Sequence, residues 1–424
     1  MKTVRIGLLG FGTVGQGLVS ILRKEKQRLL DRTGMVFEVK AVCDRSWQKK
    51  VSQLEHIPAQ FEASPVLSDP EIDIIVELIG GISPAGDYVK QALTNGKHIV
   101  TANKALLARD GAAIFALASE KKKEIGFEAA VAGALPVIKS LRRSLVANEI
   151  RAMYGILNGT CNFIITRMQD DVMDYREALK LAQEKGFAEA DPQFDVSGKD
   201  AAQKLSLLSS LAFDCRISED DIYTEGITSI RPVDLNIAES MGWVIRLLAV
   251  AKRKEDGSLH LRVHPAMIHQ DHILASVKDE KNAVFFDTSY SGPTLVMGLG
   301  AGANPTAAAV ISDLVAISRH ESGFPERWIS TTGTFVPFRD YSYRFYLRFQ
   351  TKEQTGVLAD IARILADFGI SIATVHQQEG AEPVDVVVIT HHANERALVE
   401  AIEKIDNLSV IMAPTVYIRI QDEI

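Results

Sequence analysis

A short apolar strand that runs directly into a glycine-rich turn constrains the fold of this chain more than any other feature. Residues 4–9 predict a buried strand, the sequence GFGTVG follows at residues 10–15, and apolar residues then recur at helical spacing. In such a turn the first glycine permits the tight bend, the second admits a pyrophosphate, and the third lets the helix pack on the strand. The junction therefore predicts a dinucleotide site made by Gly10, Gly12, Thr13, Val14 and Gly15.

The end of the second predicted strand, residues 36–42, is where such a fold meets the adenosine ribose. Asp44 would accept hydrogen bonds from a 2′-hydroxyl and favour NAD, whereas Arg45 could hold the 2′-phosphate of NADP. Lys49 and Lys50 could assist Arg45, or could simply form a solvated helix face. The sequence leaves both cofactors open.

Strands and helices continue to alternate beyond this point. Further strands are predicted at residues 72–79, 98–101 and 124–130, with a helix at 105–118 between the last two. Strands separated by helices imply parallel crossover connections. The fold class predicted for the first part of the chain is therefore α/β, with a doubly wound, Rossmann-type sheet.

Composition excludes several other classes of protein. The formal charge of −7 argues against a general nucleic-acid binder, and no apolar run approaches the ~20 residues that a membrane span needs. The first residues lack the features of a signal peptide. Cys43, Cys161 and Cys215 form no CxxC pair, so neither a disulfide framework nor a zinc site is indicated. We expect a soluble cytoplasmic protein of several domains.

Two lysines and two acids in the middle of the chain are candidates for chemistry. Lys104 follows a strand, at the edge where open parallel sheets bind ligands. Asp200 and Lys204 lie one helical turn apart, and Glu189 precedes them. Spacing alone is compatible with a surface ion pair, or with a site that receives an ammonium-bearing substrate and transfers a proton.

Six long motifs resemble the homoserine dehydrogenase family, in order from residue 1 to about 320. They are ELIGG (77–81), GKHIVTANKALLA (96–108), FEAAVAGALPVI (127–138), LNGTCNFI (157–164), KGFAEADPQFDVSGKDAAQK (185–204) and GLGAGANPTAAAVISD (298–313). The resemblance implies interconversion of L-homoserine and L-aspartate 4-semialdehyde with NAD or NADP, a step toward threonine and methionine. The cofactor would carry the hydride while the protein supplies one proton.

The resemblance also implies roles for single residues. Lys204 matches the proton donor or acceptor at the substrate oxygen, and Lys104 a neighbour of the nicotinamide. Glu189 and Asp200 match the acids that bind the substrate. Gly302 matches a position where the returning chain touches the cofactor, before a helix predicted at 307–317 that packs back on the nucleotide domain.

The family further binds a monovalent cation, sodium, through backbone oxygens. The matching positions here are Glu128, Val131, Gly133 and Leu135. Carbonyl ligands leave no side-chain signature, so the residues themselves are equally compatible with a loop that only shapes the floor of the site.

Two other functions compete with this interpretation. Cys161 replaces the family's usual threonine, which raises the thioester mechanism of phosphorylating semialdehyde dehydrogenases. That chemistry needs a histidine base, and the chain has no histidine between His98 and His260. A non-catalytic sensor of nucleotide and amino acid is the other alternative, but a sensor need not keep the lysines and acids named above.

The end of the chain predicts a small separate domain. Its apolar spacing predicts a strand at 345–349, a helix at 357–368, strands at 370–376 and 384–389, a helix at 395–405 and a strand at 416–420. This βαββαβ order is ferredoxin-like. With Gly356 before the first helix and Gly369 after it, the segment resembles an ACT domain, although Thr355 stands where that family often has proline. ACT domains commonly sense amino acids and usually pair edge to edge, so the resemblance implies a homodimer or homotetramer. Because the implied pathway leads to threonine, the expected effector is L-threonine, although a dimerisation module without a ligand fits the same pattern.

The domain division that follows has three parts. Residues 1–135, completed by 305–330, form the Rossmann-type nucleotide domain, and residues 136–304 form an α+β catalytic and dimerisation domain inserted before its closing helix. Residues 344–424 form the ACT domain, joined to the rest by a linker at 333–343.

Overall fold

The computed structural model describes residues 2–321, 332–377, 382–422 and 424. The chain divides into two compact units. The first unit comprises residues 1–159, 202–221 and 281–333, and the second comprises residues 160–201, 222–280 and 334–424. Within the described ranges, no helix is both long enough and apolar enough to cross a bilayer.

Strands and helices are numbered in chain order. The strands are β1 (Lys2–Leu9), β2 (Met35–Cys43), β3 (Ala59–Gln60), β4 (Ile74–Glu77), β5 (His98–Thr101), β6 (Ile125–Gly126), β7 (Ile150–Ile156), β8 (Tyr223–Thr224), β9 (Trp243–Arg253), β10 (Leu259–His269), β11 (Lys281–Thr288), β12 (Thr294–Leu299), β13 (Ser342–Thr351), β14 (Ile372–Gln377), β15 (Val384–Thr390), β16 (Ala393–Asn394) and β17 (Ile411–Gln421). The helices are α1 (Thr13–Lys24), α2 (Lys26–Thr33), α3 (Val51–Leu54), α4 (Ser64–Ser68), α5 (Ala85–Thr94), α6 (Lys104–Glu120), α7 (Val137–Lys139), α8 (Gly159–Asp170), α9 (Tyr175–Glu184), α10 (Gln193–Val196), α11 (Lys199–Phe213), α12 (Pro232–Ser240), α13 (Ala303–Ser318), α14 (Val357–Asp367) and α15 (Glu395–Asp406).

The first unit is built on a parallel sheet with the strand order β3-β2-β1-β4-β5-β6. This order confirms the predicted doubly wound α/β class. Helix α13 returns to the sheet and packs in the same apolar core as α1, a core that includes Leu18 of α1 and Val310 and Leu314 of α13. The two helices approach closely because Gly17 has no side chain: a Cβ there would lie 3.0 Å from the carbonyl oxygen of Ala303. Helix α13 thus packs on the same sheet as α1, at the place where the sequence predicts a returning helix.

The last strand of this sheet is shorter than predicted. Only Ile125–Gly126 pair as β6, whereas the sequence predicts a strand at 124–130, and Glu128–Ala130 form a 3-10 turn instead. Asp313 of α13 is the cause, because its carboxylate accepts the Glu128 amide at 2.8 Å and removes it from the ladder. The unit also contains an antiparallel group of strands, in the order β12-β11-β7.

The second unit contains the tail and the segments that pack against it. The four main tail strands have the order β17-β13-β15-β14, with α14 and α15 against the apolar face that Phe345, Leu347 and Phe349 present. This arrangement confirms the predicted ferredoxin-like, ACT-type fold. The sheet does not stop at the tail, however. Strand β17 pairs in parallel with β10, which is itself half of a long hairpin with β9.

Residues 334–343 of the predicted linker, which spans 333–343, are packed on the hairpin. The amide of Leu259 donates to the carbonyl of Thr334 at 2.8 Å, and the amide of Val336 donates to the carbonyl of Leu259 at 2.9 Å. Phe338 then stacks on Tyr223, with ring centroids 4.2 Å apart. The tail is therefore attached to the hairpin by paired backbone as well as by its side chains.

Buried ion pairs join the tail to the hairpin and to the segment before it. Glu395, at the start of α15, is fully buried between Arg262 of β10 and Arg419 of β17. Its carboxylate lies 2.9 Å from Arg262 Nη1 and 3.0 Å from Arg419 Nε. Arg419 also reaches Glu225 at 2.8 Å. A separate pair, between Arg348 and Asp234, fixes the other side of the tail sheet at 2.7 Å.

Candidate active site

The glycine-rich turn has the geometry that an anion-binding turn requires. Gly10 has a φ of +96°, and a Cβ there would lie 2.6 Å from the carbonyl oxygen of Leu78. A Cβ at Gly15 would lie 2.4 Å from the carbonyl oxygen of Gly10, so both positions exclude larger residues. Gly12 instead faces open space and caps α1 without a side-chain hydrogen bond. The first amides of α1, from Thr13 onward, therefore have no side-chain cap and suit an anion such as a phosphate.

A pocket of about 360 Å³ opens beside this turn. Its lining includes Gly10, Gly12, Asp44, Arg45, Ser46, Phe61 and Tyr88. The structure thus brings together the turn and the end of β2, as the sequence predicted for the adenosine end of a dinucleotide. Phe61 is half exposed and offers an apolar surface of the kind that a planar base can stack on.

The two residues that pointed to different cofactors have different surroundings. The Asp44 carboxylate accepts hydrogen bonds from the Phe11 amide at 2.8 Å, from the Ser46 amide at 2.7 Å and from Lys50 Nζ at 3.1 Å. Burial acts to raise the pKa of Asp44, but these hydrogen bonds outweigh it and hold the pKa below its usual value. Arg45 is exposed at the pocket and makes no ion pair with any described residue.

Lys104 begins α6 at the carboxyl end of β5, and its neighbour fixes this junction. The Asn103 side chain accepts the Leu106 amide at 3.1 Å as an N-cap and donates to the carbonyl of Gly81 at 2.6 Å. These bonds tie the start of α6 to the loop after β4. Lys104 is consequently held, half-buried, at the sheet edge where ligands bind.

Lys204 lies in α11 and is half-buried in the first unit. Its Nζ donates to the backbone carbonyl of Leu157, the residue after β7, at 2.7 Å. The direction of the side chain is therefore set by backbone.

The two predicted substrate acids lie in the second unit. Glu189 is in the loop between α9 and α10, where its carboxylate is exposed and has no hydrogen-bond or ion-pair partner among the described residues. Asp200 is buried in the first turn of α11. Two residues earlier, Gly198 has a φ of +85°, which favours glycine. A Cβ there would also lie only 3.1 Å from the carbonyl oxygen of Glu225.

The predicted cation loop has donors that suit a hard cation. Ala132 and Gly133 both have positive φ, which turns the local carbonyls away from regular pairing. Within the described residues, the carbonyls of Val131 and Gly133 accept no backbone hydrogen bond, while those of Glu128 and Leu135 accept one each, at 3.3 and 2.8 Å. Backbone hydrogen bonds therefore leave at least one lone pair on each of the four carbonyls, and hard cations prefer oxygen donors.

A pair of buried carboxylates that the sequence did not predict anchors this loop. The Glu128 side chain accepts the amides of Ile138 and Lys139 at 2.7 and 3.0 Å. Asp313 accepts the Glu128 amide and forms an ion pair with Lys139 at 2.9 Å. Burial, with Asp313 nearby, raises the pKa of Glu128 to about 7. The available signal was one acid inside the otherwise apolar helix pattern around residue 313.

Cys161 is fully buried, and its Sγ lies 3.2 Å from the carbonyl oxygen of Asp195. A thiol that is buried against a carbonyl is not stabilised as a thiolate, which is the form that attacks an aldehyde. This environment gives no support to the thioester alternative.

Three family models match the chain in sequence order. "Homoserine dehydrogenase, NAD binding domain" matches residues 10–128, "Homoserine dehydrogenase" matches residues 136–315, and "ACT domain" matches residues 345–407. Homoserine dehydrogenases of Pseudomonas aeruginosa and Neisseria gonorrhoeae are 40% and 39% identical to the chain, each over 99% of both sequences. 

Solved structures give the same result. A homoserine dehydrogenase from Thiobacillus denitrificans superimposes with a TM-score of 0.92 at 42% identity, over 100% of this chain and 99% of the other. A hyperthermophilic archaeal homoserine dehydrogenase, solved in complex with NADPH, matches 76% of this chain and 99% of its own length, with 25% identity and a TM-score of 0.64.

Proposed function

The chain belongs to the homoserine dehydrogenase family, and we propose that within this NAD(P)-dependent oxidoreductase Lys204 transfers the proton to or from the substrate oxygen. The reaction interconverts L-homoserine and L-aspartate 4-semialdehyde. The bound cofactor supplies or accepts the hydride. What remains for the protein is to hold the substrate and to move one proton.

The proposed division of roles follows from the chemistry of each side chain. Glu189 and Asp200 offer carboxyl groups that suit the α-ammonium group of the substrate, while Lys104 lies at the carboxyl edge of the parallel sheet. Lys204 donates its proton to the aldehyde oxygen in the direction of reduction and takes it back from the hydroxyl in the other. The hydrogen bond from Lys204 Nζ to the Leu157 carbonyl is the observation that carries this role, because it fixes the amine in one direction.

The direct test of this function is an absorbance assay with the purified full chain. With L-homoserine and NADP⁺ or NAD⁺, we expect reduced cofactor to accumulate, and with L-homoserine omitted we expect none. L-Serine, one methylene shorter, is the matched control substrate and is expected to react far more slowly. Absence of reduced cofactor with both nucleotides would contradict the proposal.

We infer a preference for NADP(H), since the Asp44 carboxylate is already engaged by the Phe11 and Ser46 amides and by Lys50. Arg45, in contrast, lines the pocket and has no ion-pair partner among the described residues. NADPH is also the ligand of the archaeal relative. Replacing Arg45 by alanine is expected to raise the KM for NADP⁺ about tenfold, the value of one charge-assisted contact, and to leave the KM for NAD⁺ nearly unchanged. Steady-state kinetics with both cofactors measure this. Arg28→Ala, on an exposed helix of the same unit, is the control, and an equal effect on both cofactors would refute the role of Arg45.

The cation is proposed to bind the backbone oxygens of Glu128, Val131, Gly133 and Leu135. Their unshared lone pairs support this assignment, and the carboxylates of Glu128 and Asp313 hold the loop in shape. The predicted division into three domains likewise remains our proposal.

The tail is proposed to bind L-threonine and to pair with the tail of a second copy, which gives at least a homodimer. The supporting feature is β14, an edge strand that is almost wholly exposed and has β15 as its only partner among the described residues. Val375 on this strand is 40% exposed, a large apolar area for a free edge.

Adding L-threonine is expected to lower the rate about fivefold or more, within the usual range of coupling between two sites. Replacing Thr374 by proline, which cannot donate to a strand ladder, should abolish both the inhibition and the dimer. Rate assays and analytical ultracentrifugation measure the two effects, with D-threonine as the ligand control. Inhibition that persists in a monomeric Thr374→Pro variant would place threonine at the active site. Removal of the whole tail is a poor test, because β17 is part of the same sheet as β10.

A further inference from the structure

The carbonyl that orients Lys204 has a second hydrogen-bond donor. Asn282, the second residue of β11, directs its Nδ2 to the oxygen of Leu157 at 2.9 Å, while Lys204 Nζ approaches the same oxygen at 2.7 Å. Asn282 is 1% exposed, and the neighbouring register pair, Ala283 with Ile156, fixes it beside Leu157. A carbonyl oxygen has two lone pairs. With the amide on one of them, the lysine is restricted to the other.

The orientation of the Asn282 amide follows from the same contact. A carbonyl can only accept, so the NH₂ group has to face Leu157, and Oδ1 has to point away. Oδ1 is buried and has no hydrogen-bond partner among the described residues. The amide is therefore held by its Nδ2 bond and by packing alone.

Packing of the Asn282 amide involves the glycine loop between β12 and α13. A Cβ on Gly300 would lie 2.1 Å from Cγ of Asn282, so the amide lies directly against the glycine backbone. The carbonyl oxygen of Gly300 is in turn 2.3 Å from where a Cβ of Gly133 would be. Asn282 is thus wedged between the Leu157 carbonyl and the loop that includes Gly302, the predicted cofactor contact. No side chain larger than hydrogen fits at Gly300 while Asn282 is in place.

We propose that Asn282 is a positioning residue for Lys204: its amide occupies one lone pair of the Leu157 carbonyl and fixes the direction from which the lysine reaches the substrate oxygen. This inference rests on the proposed role of Lys204. An amide suits the task because it is neutral. A carboxylate at the same place would lose the donor and would also favour the ammonium form of the lysine, which cannot accept a proton.

Asn282→Asp tests both parts of this statement in the full-length protein. In the direction of homoserine oxidation, the acid limb of the kcat–pH profile is expected to move to higher pH by about one unit, as a nearby opposite charge does to a lysine. The KM for NADP⁺ is expected to stay within about twofold, since the residue acts on proton transfer and not on cofactor affinity. Asn148→Asp is the matched control: it adds the same charge to the same unit, at a half-buried asparagine whose oxygen caps a turn at Tyr290 and Ser291. Its profile is expected to follow the wild type.

Asn282→Ala keeps the proposal testable if the aspartate variant folds poorly. It removes the donor without adding charge, so kcat is expected to fall about ten- to a hundredfold with no shift of the profile, the cost of a reacting group displaced by about 1 Å. Thermal melting monitors folding of each variant. A wild-type kcat in Asn282→Ala, or a wild-type pH profile in Asn282→Asp, would overturn the inference.

The failure of this inference is distinguishable from the failure of the proposed function. If Lys204→Ala is inactive while the Asn282 variants behave as the wild type, the inference alone is wrong. If Lys204→Ala retains full activity, the role of Lys204 is wrong and the inference falls with it.

Discussion

Replacing Lys204 by alanine is expected to lower kcat about a hundred- to ten-thousandfold, the range that a positioned acid or base contributes. The side chain donates to the Leu157 carbonyl, and Lys204 is not among the residues that line the pocket beside the glycine turn. Cofactor affinity should therefore stay nearly unchanged. Fluorescence titration with NADPH measures the affinity, and steady-state assays measure kcat.

The control for this experiment is a lysine on the same helix. Lys199 begins α11 and is exposed, so Lys199→Ala changes the same residue type without touching the Leu157 carbonyl. Its kcat is expected to match the wild type. Full activity in Lys204→Ala would remove this lysine from the mechanism, whereas a parallel loss of NADPH affinity would indicate that the fold of the unit is damaged.

Replacing Glu395 by alanine is expected to lower the free energy of unfolding by about 3–5 kcal/mol, the usual result of breaking a buried ion pair from one side. The carboxylate is the partner of two fully buried guanidinium groups, those of Arg262 and Arg419. Arg419 keeps Glu225, but among the described residues Arg262 loses its only carboxylate. Arginine cannot release its proton to relieve the burial. Urea unfolding followed by circular dichroism measures the change.

A second glutamate of the same helix provides the comparison. Glu400 of α15 is exposed, and Glu400→Ala is expected to change stability by no more than about 0.5 kcal/mol. Glu395→Gln should lie between the two variants, because the amide oxygen still accepts one hydrogen bond. A loss below about 1 kcal/mol in Glu395→Ala would mean that the buried arginines are compensated by other groups.

Local patterns were enough to predict the parts of the fold that depend on short stretches of sequence. The strand, turn and helix at the start of the chain are set by apolar spacing and by glycines that have no room for a Cβ, such as Gly10. The tail was predictable for the same reason, because apolar residues recur at strand spacing in each of its strands and at helical spacing in each of its helices. The resemblance to homoserine dehydrogenases added the family and the activity, which periodicity alone does not contain.

Features that depend on distant partners were not predictable. The apolar pattern at 124–130 is that of a strand. The strand ends early, however, because the Glu128 amide donates to Asp313, more than 180 residues later in the chain. Arg262 and Arg419 alternate with apolar neighbours as solvent-facing residues do, and Glu395 stands between the polar Asn394 and Arg396. All three are nevertheless buried, because segments far apart in sequence come together. The hydrogen bond from Asn282 to the Leu157 carbonyl was likewise not predictable, because the sequence around one asparagine in a strand does not indicate which distant carbonyl it contacts.

The pairing of β10 with β17 has a consequence for how copies of this protein assemble. A ferredoxin-like sheet has two outer strands, and a module with both of them open can add neighbours on each side without limit. Here the β17 side is already filled by the chain's own hairpin, so only β14 is left among the described tail strands. In the proposed dimer, two tails that join through β14 would use up both open sides and close on a twofold axis. Growth would then stop at the pair, so the same pairing that permits association would prevent the tails from polymerising into a fibre.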